Sequence, residues 1–514
     1  MTTPRTDSRP HPSAHLSRTA RWAATGVLTA SLLVITMDMT ILTIALPSMA
    51  AEIQPTSTQQ LWIMDVYSLV LAGLLVPWSA VADRWGRKKM LMLGYSFFIL
   101  ASLLVVVADS AAEVIAIRAF LGVGGAMIMP QTLSMIRVLF TDLRERATAL
   151  SIWAAISGLG SALGPLVGGI LLEHFSWHAA FLINVPLMGA AIIAGYFLLP
   201  ESTVGSPGRW DWVAAVQSMV GMVLLVWSVK EFGKEASLAV PEALAAFAAA
   251  VAVLAWFTLR CLRSDSPLLE LRLFRSRPFT AGIIAALGST FAMIAALLLL
   301  AQWLQLVDGA GPVETGVKLI PVAVAAALAS VAAPVLSRRI GSRGVVAGGI
   351  ILAGAGMLYM GLSPSGVSYP VILVAMLLVG AGVGSLAVAS AMIMGGSPED
   401  KAGNAGALEE ASYEIGGVLG VAVLGSISAL VFRDHLTSLA GGLGLPEELT
   451  DPAGESLGAA MHIAGEAGLP DLASSAAEAF TDSLQTAGIA GGLLMLAVGV
   501  AVFFITPKGT QAAH

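Results

Sequence analysis

Fourteen times along this chain a run of about twenty or more residues passes with almost no charge, and no other feature narrows the possible folds so far. In lipid every backbone N–H and C=O must be satisfied internally, so a spanning segment is either a helix or a strand of a closed barrel. Barrel strands are alternating segments of about ten residues. These runs are about twice as long and apolar on every face. They cover residues 23–50, 59–82, 89–108, 112–138, 146–172, 178–199, 211–229, 243–260, 279–306, 315–336, 344–362, 369–394, 402–432 and 484–506. Only 12% of residues are charged, and mean hydropathy is +0.84, against roughly a quarter charged in soluble domains. The expected fold class is an all-α integral membrane protein with 14 transmembrane helices.

Loop charges orient it. Of the 27 Lys and Arg, only Lys230, Lys234, Lys318 and Arg433 fall on one side and Arg118 inside a span; the rest share the side of the N-terminus. The positive-inside rule makes that side cytoplasmic, with both termini there. The division expected is a cytoplasmic tail 1–22, a six-helix half 23–199, two inserted helices 211–260 and a second six-helix half 279–506, including an external acidic loop 433–483. The run after the tail is too long for a signal-peptide core and stays as the first span. Within the loop, Leu457 to Gly465 and Leu472 to Leu484 are amphipathic enough for short helices.

Several function classes drop out. One cysteine, Cys261, allows no disulfide or thiol pair, and the histidines fall outside the spans apart from His178 at a span's first residue, so no metal site is expected. The Gly233-Lys234 dipeptide is followed by Glu235, so no phosphate-cradling loop exists and ATP is not expected as energy source. An enzyme, a cofactor other than a coupling proton, and a nucleic-acid partner are likewise not expected.

Against this apolar background the acids in the spans stand out. Asp38 lies near the middle of the first span, where an acid costs roughly 2.5–3.5 kcal/mol to insert and normally marks an ion or substrate path. In span 13, Glu410 and Glu414 share a face one turn apart, as do Glu409 and Tyr413. Two acids on one face cannot both ionise cheaply, so one is expected to carry a proton. Span 2 adds Asp65 and span 4 adds Arg118. Asp38 lies roughly 22 Å and Glu410 roughly 12 Å from the cytoplasmic ends of their spans at 1.5 Å per residue, straddling the midplane.

Two motifs suggest moving parts. SAVADRWGRKK (79–89) places Asp83, Arg84, Gly86 and Arg87 in a tight basic turn after span 2. SGLGSALGPLVGGIL (157–171) repeats Gly160, Gly164 and Gly168 at every fourth residue, a smooth face for helix approach, with Pro165 as a kink. The first resembles the loop signature of the major facilitator superfamily, and the second the antiporter signature of its drug exporters. With MDMTILTIALP in span 1, QLWIMDVYSLVLAG (60–73), GAMIMPQTLSMIRV (125–138), ERATALSIWA (145–154), FLINVP (181–186) and KAGNAGALEEASYEIG (401–416), nearly the whole chain resembles the fourteen-span drug:proton antiporters of QacA type.

The resemblance implies a major facilitator fold in the bacterial plasma membrane, working by alternating access. It implies proton-coupled efflux of lipophilic organic cations such as quaternary ammonium antiseptics and dyes, with Asp38, Asp65, Arg118, Glu409, Glu410 and Glu414 as coupling residues. Trp62, Tyr67, Met37, Met39, Met127 and Met129 are candidates for cation-π and adaptable contacts in the substrate cavity. Three positions depart from the pattern: Ser79 for a glycine, Thr43 for an asparagine, and Ala326 where QacA has an acid. If Ala326 faces the cavity, its missing charge favours monocations over dications. A narrow exporter of one antibiotic, or a receptor or channel, stays compatible with the same spans, although the kinked glycine-rich span favours an exporter.

Overall fold

The computed structural model describes residues 16–509 except 56, 204–210, 235–239, 265–266, 365, 399–400, 443–452 and 455, and inside its helices a few side chains, including those of Thr43, Asp65 and Pro165, lie outside the described residues. Among the described residues it is all helix. The first half holds α1 (Arg18–Ile53), α2 (Ser57–Trp85), α3 (Arg87–Leu104), α4 (Ala111–Leu139), α5 (Leu143–His174) and the interrupted pair α6 (Ala179–Leu182) and α7 (Asn184–Leu198). The hairpin α8 (Trp212–Lys234) and α9 (Pro241–Arg263) follows. The second half holds α10 (Arg277–Leu306), α11 (Pro312–Gly361), α12 (Tyr369–Val383), α13 (Leu386–Gly395), α14 (Ala402–Gly442), α15 (Leu457–Ala467) and α16 (Pro470–Ile505).

Twelve stretches among the described residues are long and apolar enough to cross a bilayer, and the 32-residue α5 is not one of them. The expected fourteen differ because α11 runs 50 residues across two expected spans, about 75 Å at 1.5 Å per residue, or more than twice the hydrocarbon thickness. It is not one straight rod, since Gly341 interrupts it at φ 79°, ψ 156°, a backbone region suited to glycine. The expected external loop is also shorter than its sequence suggests. Helix α14 continues to Gly442, α15 forms at Leu457–Ala467, and the second short helix expected at 472–484 is the opening of α16.

Local chemistry sets several ends. Ser110 and Glu113 form a capping box at α4: Ser110 Oγ accepts from Glu113 N at 3.4 Å, and Glu113 Oε2 accepts from Ser110 N at 3.0 Å. Gly86 turns α2 into α3 at φ 124°, and a Cβ there would lie 2.6 Å from a Glu201 carboxylate oxygen.

Packing divides the bundle into two cores, one through Leu28, Ile35, Phe98 and Leu133, the other through Phe291, Ala353, Val379 and Leu484. In the first half α1 packs on α5 and α2 on α4; in the second α10 packs on α14 and α11 on α12. Close approach uses small residues in both. The α5 glycines meet α1, and Gly416 and Gly420 of α14 meet Leu287, Thr290 and Phe291 of α10. The halves join along two seams, α2 against α14 and α5 against α11. Helix α8 lies against both α2 and α14 and so covers the first seam: a Cβ on Gly73 of α2 would touch Val223 at 3.0 Å, and Ser426 Oγ of α14 donates to the Phe232 carbonyl at 3.4 Å.

Candidate functional site

The glycine face of α5 places the first buried centre. A Cβ on Gly160 would collide with Thr36 Oγ1, one on Gly164 with Thr40 Oγ1 and, at 2.7 Å, with the Met37 carbonyl, and one on Gly168 with Ile41 at 2.8 Å. Asp38 therefore stands in a stretch of α1 that α5 holds by backbone contact. Its Oδ2 accepts from Arg118 Nη1 of α4 at 2.9 Å, with the side chains only 1% and 2% exposed. Its Oδ1 accepts from Asn184 Nδ2 of α7 at 2.7 Å, and Arg118 Nε donates to the Ile63 carbonyl at 3.3 Å. The guanidinium carbon lies 4.6 Å from the Tyr67 ring centroid, in range for a cation-π contact. Four helices thus converge on one neutralised, dry ion pair.

The second centre lies on α14. Tyr413 donates to Glu409 Oε1 at 2.6 Å, the i,i+4 pair expected from spacing. Among the described residues Glu409 Oε2 and both carboxyl oxygens of Glu410 are buried with no hydrogen-bond partner, and both residues are 0% exposed. The Tyr413 ring stacks on Trp153 of α5 at 6.1 Å, and the Trp153 indole N–H donates to Thr132 Oγ1 of α4 at 3.0 Å. This centre therefore touches both halves. Glu414 is half-buried one turn further along. Gln131 of α4 is also 0% exposed, with both amide atoms unpartnered among the described residues.

The halves are latched at the end that carries Arg84, Arg87 and Lys88. Asp83 takes Arg87 Nη2 at 2.9 Å and abuts Gly403 at the start of α14, where an acid suits the helix dipole. Ser79 donates to the Gly403 carbonyl at 2.8 Å and Ser134 to that of Ala402 at 3.3 Å. Arg137 of α4 reaches the end of α13, donating to the Met394 carbonyl, to Ser397 Oγ at 2.7 Å and to the Ser397 carbonyl at 2.6 Å. Lys88 Nζ donates to the Tyr196 carbonyl at 2.7 Å, near the end of α7.

The other expected cavity residues scatter. Tyr67 lies under Arg118; Met37, Met127 and Met129 are buried; Met39 is half-buried and Trp62 exposed. Met127 lies against Gly94 of α3. Ala326 is 4% exposed and lies between Val322 and Ser330, which abut Gly380 of α12 and Gly384 just past its end. The side chains of Asp65 and Pro165 lie outside the described residues. Asn184, Trp153 and Gln131 were not singled out by sequence reasoning. All three lie inside quoted segments, FLINVP, ERATALSIWA and GAMIMPQTLSMIRV, and a lone amide in an apolar span is the available signal for Asn184 and Gln131. Among the described residues no group of three or more His, Cys, Asp or Glu stands placed to hold a metal.

Comparison with known proteins fits this geometry. The Major Facilitator Superfamily profile matches residues 28–421. The chain is 38% identical to the multidrug efflux pump LfrA of Mycolicibacterium smegmatis, over 96% of this chain and 97% of that one. It is 33% identical to the methyl viologen resistance protein SmvA of Salmonella typhimurium, over 96% and 99%. In structure it is similar to the human organic anion transporter MFSD10, with TM-score 0.61 at 14% identity, over 94% and 99%, which supports the fold alone. The chain belongs to the major facilitator superfamily, as a multi-pass efflux transporter and not an enzyme.

Proposed function

We propose that this transporter exchanges protons for lipophilic organic cations, such as quaternary ammonium compounds and cationic dyes, by alternating access. The observation that carries the reading is Glu410. It is fully buried with both oxygens unpartnered among the described residues, beside Glu409, on a helix that touches both halves. A carboxyl group so placed needs a proton or a cation as counter-charge, since leaving it bare in a dry interior costs several kcal/mol. Proton and substrate cation then compete for one group, which is the minimum arrangement for antiport.

In this reading α5 and α11 each cross the membrane, the latter twice about Gly341, giving fourteen crossings, and the latched basic end is cytoplasmic with both termini. The latch then belongs to the state open to the outside. Loading from within requires breaking the contacts of Ser79, Asp83, Ser134 and Arg137 with α13 and α14. The neutralised Asp38–Arg118 pair positions α1 and α4 about that motion. One pH unit supplies about 1.4 kcal/mol per proton, and 100 mV about 2.3 kcal/mol per charge moved. The name of the Salmonella relative points to methyl viologen, a bis-pyridinium dication, so cationic cargo is in keeping with a relative of this length.

Proton release on substrate addition tests the reading. Adding tetraphenylphosphonium to purified protein in weakly buffered detergent should acidify the solution, and Glu410→Gln should release distinctly less. Binding of the cation with no proton release from the unmodified protein refutes the exchange.

A further inference from the structure

The last two turns of α9 place Trp256, Leu259, Arg260 and Arg263 at i, i+3, i+4 and i+7, on one helix face. With Asp211 and Ser264 they line a cavity of about 390 Å³ between the start of α8 and the end of α9. It opens outward: Trp256 is 59% and Leu259 51% exposed on a helix that packs chiefly on α8. Asp211 clasps Arg260 through Oδ2–Nε at 2.6 Å and Oδ1–Nη2 at 3.0 Å. That hydrogen bond holds the Asp211 carboxyl below its ordinary range, so it remains an anion at neutral pH. Among the described residues Arg263 has no ion-pair partner. Among the described residues two guanidiniums against one carboxylate leave the lining with one positive charge. Arg272 donates to the Leu262 and Ser264 carbonyls at 3.0 and 3.1 Å, so these carbonyls at the helix end already have a cation.

We propose that this cavity is a binding site for the headgroup of an anionic phospholipid. Arg263 takes the phosphodiester, which matches a planar guanidinium fork. Trp256 sits at headgroup level, where amphipathic rings collect, and Leu259 meets the start of an acyl chain. A bilayer lipid suits the cavity better than a soluble anion because half of the lining face is apolar and continues along an outward-facing spanning helix. An anionic lipid suits it better than a zwitterionic one because the latter brings a cation of its own to a positive cavity. Such a lipid would fix the outer helix of the hairpin that covers the α2–α14 seam.

The test uses the full-length protein in detergent, titrated with phosphatidylglycerol or phosphatidylcholine and followed by native mass spectrometry. One phosphatidylglycerol should bind tightly and phosphatidylcholine should not. Arg263→Gln should weaken that binding roughly fivefold or more, the effect of one basic side chain near a membrane surface. Arg275→Gln, at another exposed base on the same end, should bind as the parent does. Asp211→Asn removes the only acid lining the cavity among the described residues and should tighten binding, a gain that misfolding cannot imitate. Equal binding of the two lipids, an unaltered Arg263→Gln, or an Asp211→Asn no tighter than the parent overturns the site. Displacement of the lipid by soluble glycerol phosphate at matching concentration would make it a free-anion site and overturns the proposal as well.

Discussion

Removing the charge of Asp38 should damage both stability and transport, and the structure separates the two effects. In Asp38→Asn the Arg118 guanidinium, 2% exposed, keeps its contacts with the Ile63 carbonyl and the Tyr67 ring but loses the carboxylate at 2.9 Å. A buried cation left without its partner costs roughly 3–5 kcal/mol. Asn184 then faces an amide in place of a carboxylate at 2.7 Å, adding roughly 1–2 kcal/mol for a charge-assisted bond reduced to a neutral one. The double variant Asp38→Asn, Arg118→Gln removes both charges and should recover most of the first loss. Denaturant titration of purified protein reads the stability, and dye efflux from cells reads the function. We expect the single variant to be strongly destabilised, the double variant to be clearly more stable than the single while keeping the smaller Asn184 loss, and both to fail in efflux. If the single variant is as stable as the parent, or the double variant is no better than the single, the pair is not the dry, mutually compensating contact described above.

Further outcomes follow from the same contacts. Gly164→Val drives a side chain into Thr40 and the Met37 carbonyl, so efflux rate should fall more than dye affinity, checked by measuring the two separately; lost affinity at a normal maximal rate contradicts it. Arg137→Ala removes the bonds to Ser397 at 2.6 and 2.7 Å and should expose the latched end, raising thiol labelling of a cysteine placed at Ser134. Ala326→Asp puts a charge on the stripe where α11 abuts α12, so it should lower expression with no selective gain in dication export; such a gain would restore Ala326 to the cavity. The Asp211 carboxyl is held below its unfolded value by Arg260, so its contribution is present above about pH 4 and is lost as pH falls through the lower folded value. The protection of amides at the start of α8, taken relative to their intrinsic pH-dependent exchange rates, should therefore be constant from neutral pH to about 4 and fall only below it.

How far the sequence could be read depends on the range of each interaction. Spans and the Glu409–Tyr413 contact were legible because both are set within a few residues, one by a twenty-residue run and the other by one helical turn. The glycine face of α5 was legible as a contact surface, but not its partner, because nothing in a G-x-x-x-G spacing names the helix that arrives. Asp38 and Arg118 were each singled out, yet their pairing spans 80 residues and depends on how α1 meets α4. Asn184 was missed for the same reason. The α11 break at Gly341 is a backbone event in a basic turn, which hydropathy reads as a loop. Ala326 was ambiguous because small residues line cavities and helix contacts alike.

The most direct test of proton-for-cation exchange is dye accumulation in inside-out vesicles from cells producing the protein or its Glu410→Gln variant, with an imposed acid-inside pH difference, without one, and with ATP in the presence of an ionophore that dissipates any gradient. The account predicts accumulation only with the pH difference, collapse when an ionophore dissipates it, and none in the variant. Accumulation that persists without the gradient, that follows ATP while an ionophore dissipates the gradient, or that is equal in Glu410→Gln would contradict it.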